Sequence, residues 1–585
     1  MTEEKLDKLR HSASHLLAAA VLDLYPGALH TIGPVIENGF YYDFEFKEPI
    51  SEKDLAKIEK KMHELLKSWD KMQAREVSEK EIKELYANNP YKLELIKELI
   101  ENKEKITVYE SGGFVDLCRG NHLDKPNQEL KHFKLLSVAG AYWRGDEKNK
   151  MLTRIYGTAF KTDKELKDYL YQAQEAKKRD HRLLAKQLDL YMIDEEVGQG
   201  LPVWLPKGAF VRHKVMEFAF NTYLNSGYQP VVGPHISSEA LWSHSGHLGF
   251  YKENMYNSFG IENEQYRLKP MNCPIHVKIF KRKPHSYREL PIRYTEMGTV
   301  YRYEKSGVLH GLTRVRGFTQ DDAHIICTPD QLHDELVKAL KLTLFILNTF
   351  GFKEFEMNVS VRDPKNKQKY AGSDQGWETA EKALIKALKA INYSDYVYDV
   401  GGAVFYGPKI DLKVKDSIGR QWQLSTIQID FNLPGRFKMT YLDKDGQEKT
   451  PFMIHRALLG SLERFMGVYI EHTAGAFPLW LAPLQVAILP VSEKFIDLAE
   501  KIEEELNQEG IRTQMVAENK PLGARIREQS LQKTPYLCII GDKEKQLSQA
   551  KMYYISVRTR DNQDLGQQPL SEFIKAVKAQ IEKKT

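Results

Sequence analysis

The chain has 585 residues, with 85 Lys and Arg against 80 Asp and Glu, and 42% of its residues are hydrophobic. That composition excludes a mostly disordered chain and supplies apolar material for three or more domains. A net charge of +5 is too slight for a global field, so any nucleic-acid binding has to use local basic patches.

In chain order, the first predicted element is a helix over residues 4–24. There Leu6, Leu9, Ala13, Leu16, Leu17, Ala20 and Leu24 recur on one face until Pro26-Gly27 stops it. The charged opening is no secretory leader, and no apolar run approaches the roughly 18 residues of a membrane span. Cys118, Cys273, Cys327 and Cys538 are scattered without paired spacing, which fits a reducing, cytoplasmic setting. A strand at 39–46, charged helices at 51–69 and 79–103, and strands near 106–117 and 150–160 make residues 1–160 one α+β domain. Residues 161–187 form a highly charged helix, read as a solvent-bridging connector. The block 188–481 has strands predicted at 266–268, 292–303, 313–319, 355–361, 409–415 and 420–431 among helices, an α+β pattern with an antiparallel sheet. In 482–585, apolar strands at 486–491, 512–517 and 536–541 alternate with helices at 492–508 and 523–533, which predicts βαβ units. No G-x-G-x-x-G stands at the first strand–helix turn, so a dinucleotide site is not expected.

Three groups of residues carry chemistry. Thr299 to His324 reads as two basic, β-branched runs joined by a Gly-containing loop, with Arg302 and Glu304 sharing one strand face and Arg314 and Arg316 another. On charge alone, a solvated ion-pair hairpin explains this as well as a site does. Cys273, His324 and His455 lie too far apart in the chain for a local metal-ligand spacing, and by spacing alone each reads as structural. His11 and His15 share a helix face at i, i+4, and Asp116, Cys118 and His122 add a carboxylate, a thiol and a third imidazole. The pair alone is unremarkable; the full set is not.

The order of these residues supplies what spacing does not. Arg302-x-Glu304, a Gly-containing loop and Arg314-x-Arg316-Gly317-Phe318 resemble motif 2 of the class II aminoacyl-tRNA synthetases. Gly460-Ser-Leu-Glu-Arg464 is similar to motif 3, and the run from Tyr228 to Pro234 to motif 1, the dimerisation strand that ends at a proline. Lys269-Pro-Met-Asn-Cys-Pro274 and Gln320-Asp-Asp-Ala-His324 narrow the resemblance to the threonyl-tRNA synthetase family, over essentially the whole chain.

That resemblance implies a class II antiparallel-sheet catalytic core (188–481), an N-terminal α+β editing domain (1–160), a helical linker (161–187) and a C-terminal α/β anticodon-binding domain (482–585). It implies ATP with Mg2+, L-threonine and tRNA(Thr) as partners, and a homodimer. Arg302 would hold the α-phosphate and the threonine carboxylate, Glu304 the adenine amino group, Phe318 the base, and Arg314 and Arg464 the β/γ end of ATP. Cys273, His324 and His455 would hold one Zn2+ with an open position, beside the substrate-binding residues Gln320, Asp322, Thr426 and Gln428. Valine would fail there for want of a hydroxyl, whereas serine lacks only a methyl, worth about 1–3 kcal/mol, so a second sieve is expected. His11, His15, Asp116, Cys118 and His122 resemble the editing site shared with alanyl-tRNA synthetases, which would hydrolyse seryl-tRNA(Thr) by activating water. A tetrahedral zinc site and a covalent role for Cys118 are the alternatives there. Asn519, Arg527 and Glu544 match positions expected near the anticodon, with Pro521 where a lysine is common. Because His11 lies so near the start, the small ubiquitin-like domain that usually precedes the editing domain is expected to be absent. The rival readings are a class II ligase for another amino acid, such as proline, and a catalytically silent RNA-binding paralogue.

Overall fold

Helix α1 (Glu3–Leu24) forms where the periodicity places it, but from Ser12 to Val21 every residue is buried rather than one face. It is clasped between a sheet and the helix Leu55–Leu66, so both sides of the helix meet protein. The sheet runs in the order Leu29–His30, β1 (Gly39–Glu45), β5 (Met151–Phe160), β4 (His132–Tyr142), antiparallel throughout. Strand β4 escaped the sequence reading because a bulge between Leu135 and Ser137 breaks its alternation. The helix expected over 79–103 is two helices, Glu79–Leu85 and α2 (Pro90–Glu101). Pro90 has no amide to continue the first, and the Asn89 side chain caps the second by accepting from the Lys92 amide. Strands β2 (Thr107–Ser111) and β3 (Phe114–Leu117) form a hairpin at the edge of this unit.

The computed structural model describes residues 3–549 and 552–585. They form two compact units, one up to Gln174 and one from Glu175 on. The boundary falls inside α3 (Asp163–Arg179), and the single connector helix expected over 161–187 is broken. Asp180 caps a separate helix, α4 (His181–Leu188), by accepting from the Arg182 amide, and α4 is buried on one face rather than solvated. The expected catalytic and anticodon-binding blocks share the second unit. Arg512 and Arg560 join them by donating to backbone carbonyls of the 477–482 turn.

An eight-stranded sheet organises that unit. After α5 (Pro206–Asn225) its strands are β6 (Gln229–Pro230), β7 (Ile292–Tyr301), β8 (Gly317–Cys327), β9 (Phe355–Val361), β10 (Tyr396–Val400), β11 (Lys409–Lys415), β12 (Gln421–Asp430) and β13 (Phe452–Ser461). Their spatial order is β6-β7-β8-β13-β12-β11-β9-β10, antiparallel except for the two edge pairs. Ile325, Ile427 and Ile454 turn one face into the core beneath the helices, so period-two alternation sends His324, Gln428 and His455 to the other. The Arg302–Arg316 segment corrects the hairpin reading. Strand β7 ends at Tyr301 and β8 begins at Gly317, so all four basic and acidic positions sit in a long loop between paired strands.

Between the pairs Gln320–Ser461 and Asp322–Ala457, β13 bulges, setting Leu458, Leu459 and Gly460 against the single residue Asp321 and leaving three amides of β13 without ladder partners. The Asp321 carboxylate takes them, accepting from Leu458, Leu459 and Gly460 at 2.9–3.0 Å. Arg456, fully buried between the Tyr223 and Tyr228 rings, balances its charge. This knot fixes Gln320 opposite Ser461, the N-cap of α7 (Leu462–Thr473) that carries Arg464.

The tail from β14 (Val486–Pro490) through α8 (Ile496–Gln508), β15 (Thr513–Met515), α9 (Leu522–Leu531) and β16 (Tyr536–Ile540) has the expected parallel βαβ pattern. Two further antiparallel strands, β17 (Tyr554–Thr559) and β18 (Asp564–Pro569), make the sheet mixed. Among the described residues no helix is long and apolar enough to cross a membrane.

Candidate active sites

Register explains how residues so distant in the chain become neighbours. His324 pairs with His455 across β8 and β13, and Gln428 pairs with His455 across β13 and β12. One step along, Asp322, Ala457 and Thr426 form a parallel row. Cys273 starts helix α6 (Cys273–Phe280), packed over the same face. The Cys273 sulfur and one nitrogen from each of His324 and His455 lie within 4.8 Å of one another, and all three residues are buried.

Hydrogen bonds behind the cluster set the tautomers. His276 Nε2 donates to Glu296 at 3.0 Å, so its Nδ1 accepts from His324 Nδ1–H at 2.8 Å. His455 Nε2 donates to Asp430 at 3.0 Å. The lone pairs of His324 Nε2 and His455 Nδ1 therefore face each other across 3.0 Å. Two acceptor nitrogens held together beside a thiol fit a cation, and buttressed histidines are the usual supports of a bound metal. Burial holds the Cys273 thiol well above its ordinary range and His324 well below, so both are neutral, and a cation bound here would have to displace the thiol proton. Asp322, held by Asn272 at 3.0 Å, stands beside His324. The Gln428 amide donates to Thr426 and accepts from Tyr406, whose ring lies over His455. His276, Asp430 and Tyr406 were missed in the sequence. For His276 the signal was its i, i+3 spacing from Cys273.

Next to this cluster is a cavity of about 360 Å³ whose lining includes Arg302, Glu304, Arg314, Phe318, Gln320, Thr426 and Arg464. The structure thus gathers every residue expected at the nucleotide end. The Arg302 guanidinium lies 5.1 Å from the Phe318 ring and 5.7 Å from that of Tyr251. Arg314 pairs with Glu304 at 2.9 Å. Burial, and then the neighbouring Arg314 charge, lowers the Arg464 pKa, and its buried Nε has no hydrogen-bond partner. Three cations facing one cavity, one incompletely satisfied, make a site for a polyanion. Arg316 instead braces the loop, donating to the Glu304 carbonyl and the Ser306 hydroxyl.

In the first unit a cavity of about 520 Å³ is lined by residues that include His11, His15, Lys92, Asp116 and Cys118. His11 and His15 project from α1. Cys118 follows β3, its sulfur 3.1 Å from His122 Nε2 and 3.6 Å from His11 Nε2. Asp116 lies buried at the foot of the site, salt-bridged to Lys92 at 2.5 Å, accepting from Tyr42 and Tyr86, with His30 Nε2 3.3 Å away. Burial opposes the Asp116 charge, yet Lys92 and His30 outweigh it and hold its pKa well below the usual range. Burial lowers the His15 pKa to about 3 and raises the Cys118 thiol to about 11. Lys92, Tyr42 and His30 had no sequence signal, because each lies alone on an element otherwise read as scaffold.

At the tail, Asn519 and Arg527 are exposed near the start of α9 and along it. Glu544 departs from them. It is buried in helix α10 (Asp542–Leu547), where its carboxylate accepts from the Gly541 amide, Ser556 and Gln567.

Three family descriptions match the chain. Residues 256–473 match the tRNA synthetase class II core domain (G, H, P, S and T). Residues 485–580 match an anticodon-binding domain, and residues 106–156 the threonyl and alanyl tRNA synthetase second additional domain. With the antiparallel sheet and its arginine-lined cavity, these define a class II aminoacyl-tRNA synthetase. Threonine–tRNA ligases of Sulfurihydrogenibium sp. (strain YO3AOP1) and Borreliella afzelii (strain PKo) are each 48% identical over all of this chain, covering 90% and 98% of those proteins. The chain belongs to the threonine–tRNA ligase family. A Cryptosporidium parvum threonyl-tRNA synthetase RNA-binding-domain structure is 40% identical, with a TM-score of 0.64 over 68% of this chain and 98% of that one. A Giardia lamblia prolyl-tRNA synthetase, 17% identical with a TM-score of 0.54 over 71% of this chain and 81% of that one, shares the fold.

Proposed function

We infer that the chain ligates threonine to tRNA(Thr) through threonyl-adenylate and hydrolyses seryl-tRNA at its N-terminal unit. The observation that carries this is the convergence of Cys273, His324 and His455 beside the arginine-lined cavity. The three residues would hold Zn2+, which when bound supplies an open coordination position for the amino and hydroxyl groups of threonine. Asp322 orients that hydroxyl, and Arg302 holds the substrate carboxylate against the ATP α-phosphate. Phe318 stacks on adenine, and Glu304 exchanges its Arg314 partner for the adenine amino group. Arg314 and Arg464 then neutralise the departing pyrophosphate, whose charge Mg2+ would share. Positioning and electrostatics supply the acceleration. Purified protein should carry about one zinc per chain, and Cys273→Ser should lose both the metal and threonine activation. Full activity in metal-free protein would contradict the assignment.

At the N-terminal unit the raised thiol argues against Cys118 as a nucleophile and for water activation among His11, His15 and Lys92. The four ligand atoms of His11, His15, Cys118 and His122 also converge, which favours a second reading as a metal site. Two zinc ions per chain would establish that reading. Asn519 and Arg527 face the anticodon, and Glu544 acts by holding α10 in place. The motif 1 strand and the exposed Val232 support a homodimer. Sedimentation at micromolar concentration should report twice the chain mass, and an active monomer would contradict it.

A further inference from the structure

We propose that His181 is a positioning residue for the ATP site, fixing the turn that carries Arg314 to the helix that carries Arg464. The imidazole is fully buried at the first position of α4. Its Nε2 accepts the Leu312 amide at 3.0 Å, and because an amide can only donate, that nitrogen is unprotonated. The ring proton therefore sits on Nδ1, which donates to Glu471 Oε1 at 2.6 Å. Glu471 lies two turns along α7 from Arg464, and its second oxygen pairs with Arg420 at 2.5 Å. Asp180, His181 and Glu471 are close enough to hold a metal, but both imidazole nitrogens are already committed, which makes the group a strut.

The turn is built around this ring. Gly311 has φ +46°, and a Cβ there would come within 2.1 Å of His181 Nε2, so only glycine allows the approach. Gly467 on α7 closes in from the other side, where a Cβ would meet Leu312 at 3.2 Å and the imidazole at 3.4 Å. The His310 amide donates to the Arg314 carbonyl at 3.1 Å and closes the turn, with Leu312 fully buried at its centre. Thr313 and Arg314, the next two residues, line the cavity, whereas His181 does not. Losing the Nε2 acceptor leaves a buried amide unpaired and frees the turn, which displaces Arg314 and spares the threonine end, built on other strands.

The inference rests on reading that cavity as the ATP site. The test is threonine-dependent ATP–pyrophosphate exchange by the full chain, comparing the parent with His181→Ala, His181→Asn, His181→Gln and Gly311→Ala. Glutamine places an acceptor where Nε2 stood, and asparagine replaces only the Nδ1 donor. The KM for ATP should rise about tenfold in the alanine and asparagine variants and in Gly311→Ala, with the KM for threonine within about twofold of the parent. Glutamine should restore the ATP value. Equal rises in both KM values with no advantage for glutamine, or no rise in any variant, would overturn the strut. A parent chain without exchange activity would overturn the ATP reading itself.

Discussion

His15 shows how burial sets the chemistry of a single residue. Helix α1 places it under the Asp116 network, where desolvation outweighs the nearby carboxylate and lowers its pKa from 6.5 to about 3. His11, His30 and His122 are lowered for the same leading reason. In the unfolded chain these imidazoles bind protons below pH 6.5, and in the folded chain they do not. Stability from them is therefore complete above pH 6.5 and is lost as pH falls from there toward 3. Asp116, depressed by Lys92, adds a loss of the same sign at lower pH. Thermal unfolding of the full chain should show the transition of the N-terminal unit falling by about 5 °C or more between pH 7.5 and pH 5. A transition unmoved over that range would mean that these histidines are not buried as neutral groups. The sequence named His11 and His15 but could not name Lys92 or Tyr42, because what unites them is burial around one carboxylate.

At the scale of elements, what was legible followed local rules. The periodicity of α1, the alternation of β11 and β12 and the βαβ pattern of the tail can each be read in a window of a dozen residues. What was misread depended on one residue acting as a stop. Pro90 and Asp180 each divide what looks like one charged helix. The 302–316 loop looks like strand because Tyr303, Val308 and Val315 have strand preferences, yet Gly311 and the His181 contact bend it away from the ladder. Helix α1 makes its own test possible, since it presents His11 and His15 one turn apart in a unit separate from the arginine-lined cavity. The double replacement His11→Ala with His15→Ala should leave threonine activation unchanged and slow deacylation of preformed seryl-tRNA by about 100-fold, the scale of a lost acid–base contribution. Clearance of seryl-tRNA at the parent rate would show that this face of α1 is not the editor.

On the proposed function, the whole molecule divides its selectivity between two places. Strand register brings His324 and His455 together and helix α6 sets Cys273 over them, a relation that no local spacing reveals and that only the family resemblance pointed to. On that proposal, such a cluster with zinc bound would test for a hydroxyl beside the amino group, a criterion that valine fails and serine passes, and the N-terminal cavity would supply the second sieve. Amino-acid-dependent pyrophosphate exchange across all twenty amino acids, run before and after metal removal, tests this most directly. Threonine should give the strongest signal, serine a weaker one set by a missing methyl worth about 1–3 kcal/mol, and valine almost none, with every signal lost on chelation and restored by zinc. Exchange with valine comparable to threonine, or threonine activation that survives metal removal, would contradict the account.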